Sequence, residues 1–315
     1  MKKVLIILLC FALLGCKNKT REPSVQTRVF PSVSVPGVMT DPEERLNYMI
    51  SHYWDGFFSG EGTTNADYIL GVRNDDIEQG LSNFIYLISQ IPVPEAQTKV
   101  ADLFSRIENK QQEDTSSLQY LRMTELVSKY LYDPNSPLRS EDLFHPFVEG
   151  LVRSEFTQEE KRAGYEFEEQ MCRLNPYGTV AADFSFVDSA GRKKSLHDIR
   201  ARYTVLFFSN PGCKACQDII GELQTFPPLD ELIAQKDLAI MNIYIDTDVD
   251  AWNSYVGNYP SNWINGRDAD QQINSDQLYY VRAIPSLYLL DEQKRVIFKD
   301  APTANVLNFI ANNIN

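Results

Sequence analysis

Two cysteines separated by two residues, Cys213 and Cys216, are the residues of this chain with the clearest capacity for chemistry. The apolar run 203–208 before them predicts a buried strand, and the segment 217–223 after them predicts a helix. A pair with this spacing at a strand-to-helix turn is typical of a redox motif when strands and helices alternate around it. The free N–H groups and positive end of the helix favour a thiolate at the first cysteine. The second cysteine can then resolve a mixed disulfide.

The elements around the cysteine pair predict an α/β sheet. Downstream of Gly178, short apolar runs with strand-like alternation are separated by turns and helical stretches. The predicted strands are 183–187, 192–196, 203–208, 238–245, 286–290 and 295–298. Further helices are predicted around Trp252 and, at the end of the chain, around Val306 and Ile310. Strands that alternate with helices form a central mixed sheet flanked by helices.

The preceding part of the chain has a helical period. The segment Asp41–Glu44 has the order of a helix start, with a capping residue, a proline at the first position and acids in the first turn. Apolar residues then recur at helical spacing in successive stripes, and shorter helices are predicted over 141–151 and 157–172. We therefore predict an all-α domain over residues 41–175 and an α/β domain over residues 176–315.

The candidate metal ligands are sparse. His52 and His145 each stand alone in the sequence, and His52, which lies in an aromatic cluster, is predicted to be packed and hydrogen-bonded rather than a ligand. A zinc site at the cysteine pair would need four ligands, and no suitable histidine pair lies nearby. The lone Cys172 falls in a helical stretch and is predicted to be a buried small apolar residue. The sequence therefore predicts no metal site.

The N-terminus has the layout of an export signal. Residues 1–15 combine a short cationic start with an apolar stretch that is too short to span a membrane with confidence. The apolar stretch ends in the segment Leu13–Cys16, which resembles the bacterial lipobox. The resemblance implies that Cys16 becomes the first mature residue and carries lipid such as palmitate, which anchors a protein to a membrane without spanning it. The polar, proline-containing segment 16–40 is predicted to be a tether, and Lys17 favours the outer membrane, facing the periplasm.

The charge balance excludes one class of partner. The chain has 30 Lys and Arg residues against 43 Asp and Glu residues, a formal net charge of −13. A nucleic-acid-binding surface is basic, so nucleic acid is not an expected partner. The acidity is better explained as a contribution to solubility.

The second half resembles a known family. The segments Ala182–Phe184, Asp188–Gly191 and Ser195–Leu196, the cysteine pair and Ile284–Pro285 occur in the order found in thioredoxin-like domains of the TlpA type. Pro285 matches the cis-proline that faces the cysteine pair in that fold. The resemblance thus implies an α/β thioredoxin-like fold in which Ile284 and Pro285 contact the substrate.

The chain as a whole is similar to bacterial lipoproteins in which a helical domain of unknown function precedes the thioredoxin-like domain. The segments His52–Asp55, Tyr132–Leu138, Asn210–Cys213 and Ile284–Asp291 carry this similarity. It implies a membrane-anchored thiol–disulfide oxidoreductase of the cell envelope, with Cys213 as nucleophile and Cys216 as resolving cysteine. Expected partners are exported proteins with thiols or disulfides, the membrane, and an electron-donor protein. No dissociable cofactor is needed.

Several positions depart from the family pattern. Gly212 stands where thioredoxins usually have Trp before the first cysteine, and Phe207 replaces the buried acid of the preceding strand. Ile219 replaces the glutamate that TlpA-type reductases place after the second cysteine. The proton acceptor for Cys216 and the direction of exchange therefore stay open.

Two other functions stay open at the level of sequence. One is a non-catalytic interaction lipoprotein in which the cysteine pair forms a structural disulfide. The other is a thiol peroxidase of the peroxiredoxin type. That class needs Pro and Thr or Ser at fixed positions before its peroxidatic cysteine, and Leu206 and Ser209 do not supply them at the required spacing.

Overall fold

The computed structural model describes residues 25–314. Their N-terminal part is helical, with a small antiparallel strand pair, β1 and β2, inserted before the third helix. Its elements are α1 (Pro42–Ser51), α2 (Asp55–Phe58), β1 (Tyr68–Ile69), β2 (Val72–Arg73), α3 (Asn74–Ile88), α4 (Val93–Glu113), α5 (Gln119–Leu131), α6 (Glu141–Arg153) and α7 (Glu159–Cys172).

The apolar stripes of these helices meet in one core. The first helix begins as the sequence predicts, with Asp41 accepting the backbone N–H of Glu44 at 2.9 Å. Phe57, Ile77, Met123 and Phe144 are among the fully buried side chains of the core. Such stripes stabilise a helix mainly through the apolar area that they bury against their neighbours.

The predicted tether is not free of the helical domain in the part that the structure describes. Arg28 donates from its guanidinium to the carbonyl oxygens of Leu70, Gly56 and Phe57, at 2.6, 3.0 and 2.5 Å. The ring of Phe30 packs against the apolar core. The prediction of a tether up to residue 40 is therefore wrong for this stretch. Its polar, proline-containing composition has no periodicity, but single side chains still dock.

The C-terminal part is an α/β domain built on a seven-stranded mixed sheet. Its elements are β3 (Ser185–Asp188), β4 (Lys193–Ser195), β5 (Tyr203–Phe208), α8 (Lys214–Gln224), α9 (Leu229–Gln235), β6 (Leu238–Tyr244), α10 (Val249–Tyr255), β7 (Ile264–Arg267), α11 (Gln272–Ser275), β8 (Ser286–Asp291), β9 (Val296–Phe298) and α12 (Thr303–Asn313). The strand order is β4-β3-β7-β6-β5-β8-β9. Short 3-10 turns follow β4 and α10.

The central strands fix which loops meet. Strand β5 runs parallel to β6 and antiparallel to β8, with Phe208 opposite Ser286. The carboxyl end of β5 and the amino end of β8 therefore lie at the same edge of the sheet. The chain that leaves β5 leads into Cys213, and the chain that enters β8 contains Pro285. The topology alone brings these two loops together.

Three elements of the α/β domain were not predicted, namely α9, β7 and the one-turn helix α11. Helix α9 has only seven residues and follows Pro228, and the acids Asp230 and Glu231 in its first turn are a start signal that the prediction did not use. Strand β7 includes Asn265 and Gly266, which have low strand propensity. A Cβ atom at position 266 would lie only 2.4 Å from the ring of Phe186, so glycine here makes room for a core aromatic.

Charged side chains are buried where the two halves of the chain meet. Glu141, the first residue of α6, is 1% exposed and lies between two cations of the α/β domain. Its carboxylate oxygens lie 2.7 Å from the Nζ of Lys299 and 2.9 Å from the Nε of Arg282. Arg282 also donates to Asp300 at 2.8 Å, and Arg139 donates to the backbone carbonyl of Asp300 at 2.9 Å. We call these five residues the interface cluster.

Lys299 also satisfies the end of a helix. Its ammonium donates to the carbonyl oxygens of Met171, Cys172 and Leu174, at 3.1, 3.1 and 2.6 Å. These carbonyls lie at or just beyond the C-terminus of α7. The negative end of the helix dipole favours a cation there, and the last carbonyls of a helix have no N–H partner within it. The same lysine thus stabilises α7 and neutralises Glu141. Removing one partner of such a buried ion pair costs about 3–5 kcal/mol.

Among residues 25–314, none of the helices is both long enough and apolar enough to cross a bilayer.

Glu168, on α7 beside the interface cluster, gives the fold a specific pH dependence. Burial raises the pKa of its carboxyl from 4.5 to about 7, against the opposing effect of the Arg282 guanidinium. The folded chain therefore holds a proton that the unfolded chain releases, so stability falls as pH rises from about 4.5 to 7. We expect Glu168→Gln to remove this part of the dependence and to raise the free energy of unfolding at pH 8 more than at pH 4.

Urea unfolding at a series of pH values checks this expectation. Glu166→Gln, an exposed change on the same helix, serves as the control. Parallel pH curves for the wild type and Glu168→Gln would contradict the assignment.

Candidate active site

The cysteine pair lies in a tight connection between β5 and α8. Asn210 donates from its side chain to Asp246, which follows β6, at 2.6 Å, and the backbone N–H of Cys213 donates to the Asn210 carbonyl at 3.2 Å. Gly212 has a φ of +71°, the left-handed region that glycine occupies without steric cost. No atom would crowd a Cβ at this position, so the backbone conformation alone favours glycine where the family usually has Trp.

Cys213 and Cys216 form a disulfide, with their Cα atoms 5.2 Å apart. Cys213 caps the N-terminus of α8 and is half-buried, whereas Cys216, one turn into the helix, is only 1% exposed. Of the two cysteines, Cys213 is therefore the more accessible from solvent. This is the asymmetry that the sequence predicts for a nucleophile and a resolving cysteine.

The surroundings of Cys213 favour its anion. Its sulfur accepts the backbone N–H of Cys216 at 3.2 Å and lies at the positive end of α8. The sequence also suggests the neighbouring Lys214 as a stabilising cation. The structure pairs that ammonium with Asp218 at 2.5 Å, and the lysine side chain is 81% exposed. The Cys213 thiolate is therefore stabilised mainly by the N-terminal end of α8 rather than by the Lys214 ammonium.

Ile284 and Pro285 occupy the loop at the same edge of the sheet. The Ile284–Pro285 peptide bond is cis, as the family resemblance implies. Ile284 and Cys213 both flank the apolar cluster that contains Cys216. The structure thus brings together the four residues that the sequence assigns to disulfide exchange and substrate contact.

The space beneath the cysteines contains no carboxylate from β5. Phe207 is fully buried in the cluster with Cys216, and Ile219 is partly buried against the same cluster. The sequence did not reveal a neutral polar group nearby. Ser209 donates its hydroxyl proton to Oδ1 of Asn242 at 2.5 Å, and its oxygen lies 3.3 Å from the hydroxyl of Tyr259, which can donate to it. These residues come from separate elements, and no spacing in the sequence connects them.

The helical domain contains a cluster that sequence spacing did not predict. His145 and Glu149 on α6 and Glu169 on α7 have ligand-type atoms within 4.8 Å of one another. Arg173 already pairs with both carboxylates, at 3.5 Å for Glu149 and in direct contact for Glu169. One guanidinium of the same helical domain is therefore shared by both carboxylates and balances one of their two charges.

One other residue singled out in the sequence, Cys172, lies in the core of the helical domain. Cys172 is a free, buried thiol at the end of α7, as predicted, and burial raises its pKa. Cys16, the candidate lipid attachment site, and the candidate signal peptide 1–15 lie outside the described residues.

Family models match both parts of the chain. Residues 15–175 match a domain of unknown function, DUF5106, and residues 201–296 match a thioredoxin-like model. No curated protein matches the chain.

Solved structures include a match over nearly the whole length. A thioredoxin-like protein from Bacteroides caccae has 31% identity and a TM-score of 0.75, and the match covers 91% of this chain and 99% of that one. The C-terminal domain of an uncharacterized protein from Bacteroides fragilis has 38% identity over 44% of this chain and 99% of its own, with a TM-score of 0.42. The thioredoxin domain of a thiol-disulfide oxidoreductase from Bacteroides vulgatus has 20% identity over 44% of this chain and 98% of its own, with a TM-score of 0.39.

The fold and the disulfide at the start of α8 define a thioredoxin-like protein. The chain belongs to the family in which a helical DUF5106 domain precedes a thioredoxin-like domain. The predicted fold class, an α/β thioredoxin-like domain with an all-α domain before it, is confirmed.

The environment of Cys213 predicts an acidic thiol. In the reduced chain we expect a Cys213 pKa below the value of about 8.5 for a free cysteine, because the α8 N-terminus stabilises the thiolate. Since Lys214 is paired with Asp218, Lys214→Gln should leave this pKa close to that of the wild type. The rate of iodoacetamide alkylation against pH gives the value in both chains. A large rise in Lys214→Gln would instead assign the stabilisation to the ammonium.

Proposed function

We propose that the protein is a membrane-anchored thiol–disulfide oxidoreductase that exchanges disulfides with exported proteins. The observation that carries the proposal is the asymmetric pair, in which Cys213 caps a helix and is partly accessible while Cys216 is buried one turn behind it. Reactive cysteines occur in such partly exposed positions at helix N-termini, whereas buried structural cysteines are inert.

The reduced pair supplies two electrons to a substrate disulfide. The Cys213 thiolate attacks one substrate sulfur, forming a mixed disulfide and releasing the other substrate sulfur as a thiolate. The Cys216 thiol then loses its proton and attacks the Cys213 sulfur. This step forms the Cys213–Cys216 disulfide and releases the second substrate thiol. A dithiol donor protein restores the pair, and the reverse sequence oxidises a substrate dithiol.

Ile284 and Pro285 are proposed to form the wall of the site against which the substrate chain lies. Both precede β8 at the edge of the sheet that carries the cysteines, and Ile284 flanks the same apolar cluster as Cys213. Apolar side chains and backbone beside a reactive sulfur suit an extended polypeptide better than a small charged molecule.

The anchor and the location are proposed from the sequence. A lipid on Cys16 would tether the protein to the outer membrane, facing the periplasm, where exported proteins acquire and exchange disulfides. The acidic balance of the chain argues against nucleic acid as a partner.

Trapping of mixed disulfides tests the proposal. In cells that express Cys216→Ser, the attack by Cys213 cannot be resolved, so we expect covalent complexes with envelope proteins that disappear on reduction. Cys213→Ser is the matched control and should trap little, because its remaining cysteine is buried. The complexes should sediment with membranes and should move to the soluble fraction when Cys16→Ser is added.

Three results would contradict parts of the proposal. Equal and sparse trapping by both single variants would favour a structural disulfide. Soluble complexes with Cys16 intact would remove the anchor but not the exchange activity. Rapid oxidation of Cys213 to a sulfenic acid by peroxide, without trapped proteins, would favour the peroxidase alternative.

A further inference from the structure

The loop that contains Ile284 and Pro285 is held at both ends by charged contacts. Arg282 lies three residues before Pro285, and Ser286 follows it directly. Ser286 is buried and donates from its hydroxyl to one carboxylate oxygen of Asp300 at 2.8 Å. Arg282 donates to the other oxygen of the same carboxylate at 2.8 Å. Asp300 therefore fastens both sides of the loop.

The helical domain engages Arg282 with several different groups. The Arg282 guanidinium donates to the carbonyl of Tyr132, lies 4.2 Å from the centroid of the Tyr132 ring, and has its Nε 2.9 Å from Glu141. Each of its nitrogens thus meets a group of the helical domain or Asp300. A planar guanidinium with all its nitrogens engaged has one orientation, unlike a flexible point charge.

The helical domain also engages Asp300. Arg139 donates to the carbonyl oxygens of Asp300 and Ala301 at 2.9 and 3.3 Å, and its Nε lies 3.7 Å from the Asp300 carboxylate. Arg139 directly precedes the Ser140 cap of α6, in the segment that begins at Tyr132. One loop of the helical domain therefore contacts both of the residues that hold the Pro285 loop.

We infer that the helical domain forms part of the substrate-binding face, and that Glu141 is a positioning residue for the Ile284–Pro285 loop. Glu141 acts through Arg282. Its buried carboxylate holds the Arg282 guanidinium in place, and the loop begins at this residue. Glu141 does not contact the cysteines. This inference assigns a role to the domain of unknown function, and it rests on the proposed exchange of disulfides with protein substrates.

If Glu141 positions the loop, two reactions of the Cys213 sulfur should respond differently to its loss. A polypeptide disulfide must lie along the positioned loop to reach Cys213, whereas a small disulfide needs only the sulfur itself. Loss of the Glu141 charge should therefore impair the reaction with a protein more than the reaction with a small reagent. A small displacement of a binding element can slow a reaction by ten- to a hundred-fold.

The test compares Glu141→Gln with Glu160→Gln in the purified full chain. Glu160 is exposed on α7 and gives the same chemical change away from the interface cluster. Insulin, with dithiothreitol as the reductant, serves as the protein substrate, and dithiodipyridine reacts with the reduced chain as the small probe. We expect Glu141→Gln to raise KM for insulin about tenfold and to leave the dithiodipyridine rate unchanged. Glu160→Gln should match the wild type in both assays.

Hydrogen exchange of the peptide 279–287 gives a readout that does not depend on activity. Its amides should exchange faster in Glu141→Gln than in Glu160→Gln. If Glu141→Gln does not fold, Arg139→Lys replaces it, since it keeps the positive charge but loses the two-carbonyl contact.

Equal KM values and equal exchange in the two glutamine variants would overturn the inference. A parallel loss of the insulin and dithiodipyridine reactions would also overturn it, because that pattern indicates general damage. A wild type that does not reduce insulin would defeat the proposed function, and faster exchange of 279–287 in Glu141→Gln would still support the positioning role.

Discussion

A buried carboxylate holds the two halves of this chain in one arrangement. Glu141 has almost no access to water, and its negative charge is balanced by Lys299 and Arg282 from the other half. Burial raises the pKa of the Glu141 carboxyl, while the two cations act in the opposite direction. Buried charges tolerate little displacement, because an ion without its partner keeps the full cost of desolvation. The interface therefore specifies a geometry as well as an affinity between the domains.

That geometry extends to the edge of the sheet where the cysteines lie. Strand β5 leads into Cys213, and the antiparallel β8 begins just after Pro285. The first loop depends on the turn at Gly212 and on the start of α8. The second depends on Arg282 and Asp300, and through them on the helical domain. The two cysteines thus belong to one domain, whereas the loop that contains Pro285 is held by contacts from both.

The sequence predicted the elements around the cysteine pair better than the contacts that hold those elements in place. The cysteine pair, the strands on either side of it and the loop at Pro285 followed from local spacing and from the resemblance. Strand β7 was missed because Gly266, which lowers strand propensity, is there to admit the ring of Phe186. The interface cluster was missed for a different reason. Charged residues such as Glu141 and Lys299 are almost always at the surface, and only the tertiary fold brings these two together. The docking of Arg28 on the helical domain was missed for the same reason, because its acceptors are backbone carbonyls of distant segments.

The reduction potential of the Cys213–Cys216 disulfide gives the sharpest test of the proposed redox activity. Structural disulfides of secreted proteins typically lie below about −300 mV, out of reach of ordinary dithiol donors. Equilibration of the purified full chain with dithiothreitol and glutathione buffers, followed by alkylation and mass analysis, gives the potential. We expect a value above about −300 mV, within the range of exchange proteins. A potential well below about −300 mV would contradict the proposed disulfide exchange and would indicate that the pair is a structural disulfide.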